Sequence, residues 1–405
     1  MIHTLAVNNY RSLLHLVMPL AQLTVVTGAN GSGKSNLYRA LRLLAETAQG
    51  GLNGGVIPAL ARQGGLESVF WAGPESLSKG MQDGSVEIQG GPRTGPVRLK
   101  LGFNADDYGY AIELGLPEPS HSLFYKDPEI KREVIWAGDV LKPSTVLVER
   151  KGPLVRVKSG RSWHVANNHT ATYDSLFSLL TDATLAPEIL MLRERIRDWR
   201  FYDQFRTDPD APARRPGLGT RTPVLAHDGC DLAAALQTIR EIGDTNGLDA
   251  AIDDAFPGAR LTIDVSHDGY FSLHFSQPGL LRPLDCRELS DGTLRYVLLV
   301  TALLSPRPPS LLVLNEPETS LHPDLLPSLA RLITQAATRS QVWVVSHSAA
   351  LVETLLQSHA PQLAPGATLL YDDADDTLQQ IQLLKTTGQT LVDGQHRLNM
   401  PAWRW

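Results

Sequence analysis

Cysteine is scarce in this chain of 405 residues, which contains only Cys230 and Cys286, far apart and outside any CxxC pair. That scarcity excludes a disulfide scaffold and a cysteine-based zinc site, and it fits a reducing compartment. No run reaches the roughly 18 consecutive apolar residues of a membrane helix. The N-terminal region also lacks a charged stretch followed by a long apolar run. We therefore expect a soluble cytoplasmic protein with no membrane partner.

The chain also has no excess of positive charge, since its net charge is -6 and its pI about 6.1. Proteins that coat nucleic acid are usually basic, so a DNA contact would need a local patch. No internal repeat and no sustained heptad run is present, which excludes a long coiled coil. The composition, 42% hydrophobic and 20% charged, is that of an ordinary globular chain.

Hydrophobic periodicity divides the chain into regions. The first fifty residues predict strands, a Gly-rich loop and a helix, and residues 66–166 alternate with period two, as antiparallel strands do. Residues 172–205 have a helical pattern. The last third alternates again, with predicted strands at 311–314 and 342–345 around a predicted helix at 323–338. The order of elements favours an α/β protein.

The strongest motif is GANGSGKS at residues 28–35, between a predicted strand and a predicted helix. Its pattern, G-x-x-x-x-G-K-S, is that of a loop whose backbone N–H groups surround a phosphate. Lys34 is expected to reach the β- and γ-phosphates of ATP, and the Ser35 hydroxyl to hold Mg²⁺. The residues predicted to bind the nucleotide are Asn30, Gly31, Ser32, Gly33, Lys34, Ser35 and Asn36.

A second motif, LLVLNEPE at residues 311–318, ends a buried strand in polar residues. Glu316 stands where a general base could take a proton from the attacking water, although a carboxylate there is equally often a plain strand-end residue. Asn315 stands at the position where the acid of a Walker B motif is usually Asp. Its amide can accept a hydrogen bond from metal-bound water but lacks the charge. We therefore expect Asn315 to hold Mg²⁺ through water and turnover to be slow.

A third motif, LSDGT at residues 289–293, opens an apolar helix. Ser290 is a good N-cap, which is its simplest role. The same geometry would direct Ser290, the Gly292 amide and the helix dipole at a γ-phosphate. Because the motif lies between the other two in the chain, we favour the phosphate-binding interpretation.

Four further polar residues are candidates for the same chemistry. His347 follows a predicted strand and is expected to contact the γ-phosphate as a catalytic switch. Gln63 is a candidate to sense the metal and the water, with a polar turn residue as an equal alternative. His322 follows the second motif, and a resemblance to the ABC-type ATPases implies that it lies at a dimer interface. Arg11, in NNYRSL, either faces the nucleotide or is simply solvated.

These motifs, in this order, resemble those of the ABC-type ATPases of the SMC, RecF and OLD branch. The start NNYRSL resembles their N-F-R-S opening, and Asn36 replaces the Thr that is usual in transporter ATPases. ELSDGT and NEPETSLHP resemble the signature and Walker B motifs of stand-alone RecF-like ATPases, which are often grouped as AAA-family ATPases. The resemblance covers residues 1–70 and 285–372, with weaker similarity at 227–236.

The resemblance implies an α/β P-loop NTPase head of the ABC type, with a mixed sheet, flanking helices and an antiparallel β subdomain. Residues 1–170 and 259–405 would form lobe one, and residues 171–258 an inserted, partly helical lobe two. Two heads would dimerise head to tail on ATP binding, with Ser290 and Gly292 acting in trans. OLD proteins carry a TOPRIM nuclease domain after this region; the sequence leaves no space for one, so we expect no intrinsic nuclease.

The segment 191–222 is rich in arginine with interleaved aromatic residues. Such a segment could bind a nucleic-acid backbone and stack on bases. Five acidic residues dilute it, so a solvated helix with a packed aromatic face is the favoured interpretation.

Three functions stay open for an ATPase of this kind. The first is DNA repair or genome maintenance, with DNA as the partner. The second is the regulatory subunit of an anti-phage defence system that acts on an effector protein. A transporter ATPase is the least favoured, because the insert is too long and the motif variants do not suit it.

Overall fold

The computed structural model describes residues 1–50, 54–75, 78–82, 85–87, 89, 95–119, 121–179, 186–359, 377–396 and 399–405. These residues form two compact units. Unit 1 contains those within 1–21, 26–199 and 381–405, and unit 2 contains those within 22–25 and 200–380. This division differs from the predicted lobes, whose boundaries remain a prediction.

The strands, in chain order, are β1 (Ile2–Tyr10), β2 (Leu13–Pro19), β3 (Leu23–Gly28), β4 (Leu99–Ala105), β5 (Tyr108–Gly115), β6 (Glu129–Ala137), β7 (Val146–Lys151), β8 (Leu154–Ser159), β9 (Ser162–Asn167), β10 (Arg200–Tyr202), β11 (Gly217–Leu218), β12 (Arg260–Val265), β13 (Tyr270–Ser276), β14 (Leu284–Asp285), β15 (Leu311–Asn315), β16 (Gln341–Val345), β17 (Leu378–Thr386) and β18 (Gln389–Val392). The α-helices are α1 (Lys34–Glu46), α2 (Val56–Arg62), α3 (Leu66–Val69), α4 (Lys79–Gln82), α5 (Leu176–Leu179), α6 (Pro187–Arg197), α7 (Leu232–Ile242), α8 (Thr245–Ala255), α9 (Asp291–Leu303), α10 (Leu326–Ala337) and α11 (Ala349–His359). Within the described ranges, none of these helices combines the length and apolarity needed to cross a bilayer.

Unit 1 contains an eight-stranded antiparallel sheet in the order β2-β1-β4-β5-β6-β7-β8-β9. From β4 to β9 each strand pairs with the next one in the chain, which is the meander that the period-two pattern predicts. The prediction is wrong at its start, because the described residues between 66 and 98 include the helices α3 and α4, and the strands of the meander that the structure describes begin only at Leu99. Val7 lies opposite Leu16 on one side and Leu101 on the other, and all three are buried. The remaining strands of unit 1 are the end of β3, most of β17 and all of β18.

A buried ion pair lies inside unit 1, between Arg150 of β7 and Glu133 of β6, at 3.2 Å and with both side chains fully buried. Tyr110 and Ser175 each donate a hydrogen bond to Glu133 at 2.7 Å. Burial, with the Glu133 charge beside it, raises the pKa of Tyr110 well above its usual range, so its hydroxyl remains a donor. Since each charge has several partners, the pair can persist without water.

Unit 2 is built around the parallel strands β10, β15 and β16, with the first residues of β3 beside β16, where the Val342 amide donates to the Gln22 carbonyl at 2.8 Å. A small antiparallel sheet contains β11, β13, β12 and β14. Helix α9 is buried from Leu294 to Leu303. Buried residues of α7, α8, α9 and α10 share one hydrophobic core with the parallel strands.

The hairpin β17–β18 is an element that the sequence analysis does not predict. Its strands pair antiparallel and are joined by Thr387 and Gly388, both with positive φ (52° and 82°). A two-residue turn with positive φ at both positions is the type that matches strand twist, and Gly favours it. The pair Thr-Gly between two alternating runs is therefore the signal that could have revealed this hairpin.

Candidate functional site

The glycine-rich loop of unit 1 connects the end of β3 to α1. Gly31 and Gly33 have φ of 80° and 110°, a region that a residue with Cβ rarely adopts. The buried Lys34 side chain folds back, and its Nζ donates to the carbonyls of Gly28 (2.6 Å) and Ala29 (3.3 Å). The helix therefore begins at a glycine-rich loop whose own carbonyls hold the ammonium of the first helical residue.

A buried threonine holds this loop from β18. The Thr390 hydroxyl donates to the Ser32 carbonyl at 2.7 Å and lies 2.7 Å from the Ser12 hydroxyl. Since its single proton is used on Ser32, Ser12 must donate to Thr390, and Ser12 in turn accepts from the Asn36 amide at 2.9 Å. An added Cβ at Gly33 would collide with the Thr390 side chain. Asn36, predicted to bind the nucleotide, is thus a member of the network that holds the loop.

Replacing Thr390 with Val should weaken nucleotide binding by about 3- to 10-fold, because it removes one hydrogen bond to the loop and leaves the buried Ser32 carbonyl without its donor. Titration with a fluorescent ATP analogue measures the change. Thr386→Val, on an exposed position of β17, is the matched control and should bind as the parent does. Equal affinity of the two variants would show that the network does not shape the loop.

Gln63, at the C-terminal end of α2, is held by the turn that follows β1. Its Oε1 accepts hydrogen bonds from Tyr10 Oη at 2.7 Å and from Arg11 Nη2 at 3.4 Å. Burial raises the pKa of Tyr10, so its hydroxyl stays a donor. Arg11 is half-buried and has a positive φ of 50°, so it is not the freely solvated arginine of the simpler interpretation. The structure thus brings Gln63 and Arg11 together.

In unit 2, the polar end of β15 lies beside the end of β16. Asn315 pairs with Val345, and the Glu316 amide donates to the Val345 carbonyl at 2.8 Å. Glu316 has φ of 49°, a left-handed conformation that is costly for a residue with a Cβ. Its side chain is 42% exposed. The backbone therefore keeps this carboxylate at the surface of the unit, immediately after the buried strand.

The turn after β16 is bound by a second carboxylate, that of buried Glu318. Its Oε1 accepts from Ser346 Oγ at 2.6 Å and from the amides of His347 (3.1 Å) and Ser348 (3.2 Å). His347 Nδ1 lies 3.6 Å from Glu316 Oε1 and 3.6 Å from Glu318 Oε1. The predicted pair Glu316 and His347 is therefore brought together, and Glu318, which the sequence analysis leaves without a role, anchors it.

The signature segment is fixed by Arg214, whose side chain is only 6% exposed. Its donors bind four backbone carbonyls and one carboxylate, those of Thr207, Cys286, Arg287, Leu289 and Asp291. Ser290 is exposed and caps α9, its Oγ accepting from the Thr293 amide at 3.2 Å. The two roles predicted for Ser290, helix cap and phosphate ligand, thus need the same geometry, a serine that caps a helix N-terminus and faces solvent. Gly292 follows Ser290 in the first turn of α9.

His322 is exposed and caps a short 3₁₀ helix, Pro323–Leu325.

The arginine-rich segment 191–222 buries its aromatic residues, as predicted, but the helix predicted over 172–205 is wrong beyond Arg197, where α6 ends and Arg200–Tyr202 form β10. The buried aromatic side chains of the segment are Trp199, Phe201, Tyr202 and Phe205. Seven of its eight arginines form ion pairs with carboxylates, namely Arg193, Arg195, Arg197, Arg206, Arg214, Arg215 and Arg221. The aromatic rings are therefore not available to stack on bases, and the arginine charge is largely compensated.

The residues of the glycine loop fit a phosphate and its Mg²⁺. Ser32 Oγ is buried without a hydrogen-bond partner among the described residues, while Ser35 is exposed at the start of α1. Over the same described ranges, no cluster of three or more His, Cys, Asp or Glu could hold a metal ion. In proteins, Mg²⁺ commonly binds through phosphate oxygens together with one or two protein groups and water.

Comparison with known proteins gives one family and several solved structures. A family model described as "AAA domain, putative AbiEii toxin, Type IV TA system" matches residues 23–353. No curated protein sequence matches the chain. An SMC head solved in complex with the C-winged helix domain of ScpA is similar over 96% of this chain and 97% of that chain, with 13% identity and a TM-score of 0.50. This likeness confirms the predicted α/β P-loop head.

Two other SMC heads are similar at lower TM-scores. The SMC head domain from Thermotoga maritima has 13% identity over 98% of this chain and 99% of that chain, with a TM-score of 0.44. The Smc head with an extended coiled coil from Pyrococcus furiosus, bound to the C-terminal domain of ScpA, has 14% identity over 96% and 95%, with a TM-score of 0.46.

Proposed function

The chain belongs to the family described as "AAA domain, putative AbiEii toxin, Type IV TA system", and from that premise we propose that it binds ATP and hydrolyses it slowly. The glycine loop with its buried lysine carries the proposal. Among the residues that the structure describes, Lys34 Nζ donates only to two carbonyls of its own loop. Phosphate oxygens are stronger acceptors for an ammonium than neutral carbonyls are. Mg²⁺, when bound, supplies positive charge that offsets the charge of the phosphates.

Glu316 is the general base in this proposal. Its carboxylate is partly exposed, and a base must contact the water from which it takes a proton. His347, with Nδ1 close to that carboxylate, contacts the γ-phosphate. Asn315, whose backbone is fixed by its pairing with Val345, acts on the metal through water. Gln63, which Tyr10 holds by a hydrogen bond, senses the metal and the water.

ATP also drives head-to-tail dimerisation in this proposal. Ser290 and Gly292 open α9 at a position where Ser290 faces solvent, and Arg214 fixes the backbone just before them. An exposed helix N-terminus with a serine is suited to a phosphate supplied from outside the unit. A second copy of the chain would supply it.

For the pathway, we propose a regulatory ATPase that acts on a protein effector in a toxin–antitoxin or anti-phage system. The family description, which refers to a type IV toxin–antitoxin system, favours this function. A DNA-repair role is the alternative, and the burial of the aromatic residues in segment 191–222 removes one argument for it.

Phosphate release by the purified chain tests the proposal, measured with ATP, with and without Mg²⁺, and with and without duplex DNA. We expect Mg²⁺-dependent turnover that DNA does not change. Turnover that rises several-fold with DNA would favour the repair role instead. No turnover and no binding of ATP under any of these conditions would contradict the proposed activity.

Restoring the usual acid with Asn315→Asp should raise Mg²⁺ affinity by about 10-fold and increase turnover, because a charged ligand replaces a neutral one. The concentration of Mg²⁺ that gives half-maximal phosphate release measures the effect. Asn399→Asp, at an exposed position of unit 1, makes the same chemical change elsewhere and should leave that concentration unaltered. An unchanged value in Asn315→Asp would remove the explanation of slow turnover.

A further inference from the structure

A buried arginine of α9, the helix that LSDGT opens and that we call the signature helix, contacts the backbone of Glu316, the proposed general base. Arg295 lies one turn into α9 and is 2% exposed. Its Nη2 donates to the Glu316 carbonyl at 3.0 Å. The same carbonyl accepts the Thr319 amide at 3.2 Å. The Glu316 carbonyl therefore connects α9 to the turn after β15 through these two hydrogen bonds.

The turn from Glu316 to Ser320 is strained at both ends. Glu316 and Ser320 have φ of 49° and 64°, although neither is glycine. Helix α9 contacts the second end as well, because a Cβ added to Gly292 would lie 2.9 Å from the Ser320 carbonyl oxygen. Strained conformations persist where the surroundings hold them in place. Here the first turns of α9 hold both ends.

The charges beneath the turn reinforce the contact. Desolvation lowers the pKa of Arg295, while the nearby carboxylates of Glu318 and Glu316 oppose that shift. Glu318 Oε2 and Arg295 Nε are buried, and neither has a hydrogen-bond partner among the described residues. Arg295 is therefore a buried cation that interacts electrostatically with both acids, and it donates a hydrogen bond to the backbone of one of them, Glu316.

We propose that Arg295 is a positioning residue that couples the signature helix to the Glu316 turn of the same chain. Engagement of Ser290 by a phosphate moves the start of α9, and Arg295 passes that movement to the backbone of Glu316. One chain then prepares its own base only when its signature is occupied. This inference rests on the proposed ATPase function and adds the regulation of its base.

Arg295→Met should lower kcat by about 10-fold or more and leave ATP affinity within about twofold, because only the placement of the base changes. Arg295→Lys keeps the charge near the two acids and should give an intermediate kcat, and it serves as the folded variant if the methionine is not tolerated. Arg339→Met is the matched control. Its Nη2 donates to the Leu303 carbonyl at the other end of α9, and its kcat should match that of the parent.

A double-mutant cycle separates coupling from a merely structural role. If Arg295 transmits the occupancy of Ser290, the losses in kcat from Ser290→Ala and Arg295→Met will not multiply in the double variant. Losses that multiply, or an unchanged kcat in both Arg295 variants, would overturn the coupling while leaving the ATPase function intact. If the parent protein itself neither binds nor hydrolyses ATP, the proposed function fails first.

Discussion

Lys34→Met should weaken ATP binding by about 10- to 100-fold, because hydrogen bonds from a charged donor contribute about 1.5–3 kcal/mol and methionine supplies none. The side chain is buried beside the loop, and methionine fills a similar volume. The variant therefore loses a positive charge and its donors with little change in packing. Isothermal titration with ATP in the presence of Mg²⁺ measures the loss.

Lys151→Met is the control for this change. Lys151 also belongs to unit 1, but its side chain is 60% exposed. It should bind ATP as the parent does, and thermal melting should show that both variants remain folded. If Lys34→Met binds ATP as tightly as Lys151→Met, the glycine loop does not hold phosphates and the proposed function fails at its first step.

Glu316→Gln should slow hydrolysis by about 10²- to 10⁴-fold, which is the usual contribution of a general base, and should trap the ATP-bound dimer. Glutamine has nearly the same shape but cannot accept the proton. The strained backbone of Glu316 and its amide bond to Val345 do not depend on the side-chain charge, so the turn should remain intact. Size-exclusion chromatography with light scattering gives the mass with and without Mg-ATP.

We expect Glu316→Gln to be a monomer without nucleotide and a dimer with it. Glu353→Gln, at an exposed position of α11 in the same unit, should turn ATP over at the parental rate and show no trapped dimer. A mass of Glu316→Gln that ATP does not change would contradict ATP-driven dimerisation. Ser290 would then be a helix cap without a phosphate to bind.

Local patterns predict much of the fold and of the site. The glycine loop follows a strand and opens a helix as predicted, because glycine, lysine and serine at this spacing define a local conformation. The helix predicted at 323–338 is a 3₁₀ turn followed by α10, and Pro323 and Pro327 lie where this chain enters the helix. Proline suits the first turn of a helix, where its missing N–H is not needed.

Residues that act over long sequence distances could not be found in the same way. Arg214 belongs to a segment with many arginines, and nothing in its local sequence distinguishes the one that binds the backbone of the signature segment. In the sequence, Glu318 is one more acidic residue after a strand, although three donors in the turn after β16 bind its carboxylate. Such contacts are decided by tertiary packing, which the periodicity of a single sequence does not record.

The bond from Thr390 to the Ser32 carbonyl joins residues 358 positions apart, and it has a consequence for biosynthesis. The glycine loop leaves the ribosome long before position 390 is translated. A nascent chain therefore carries the loop without the hydroxyl that supports it. If the chain binds ATP as proposed, it reaches full affinity only after β18 has been made and has paired with β17, and unfinished chains would compete poorly for ATP.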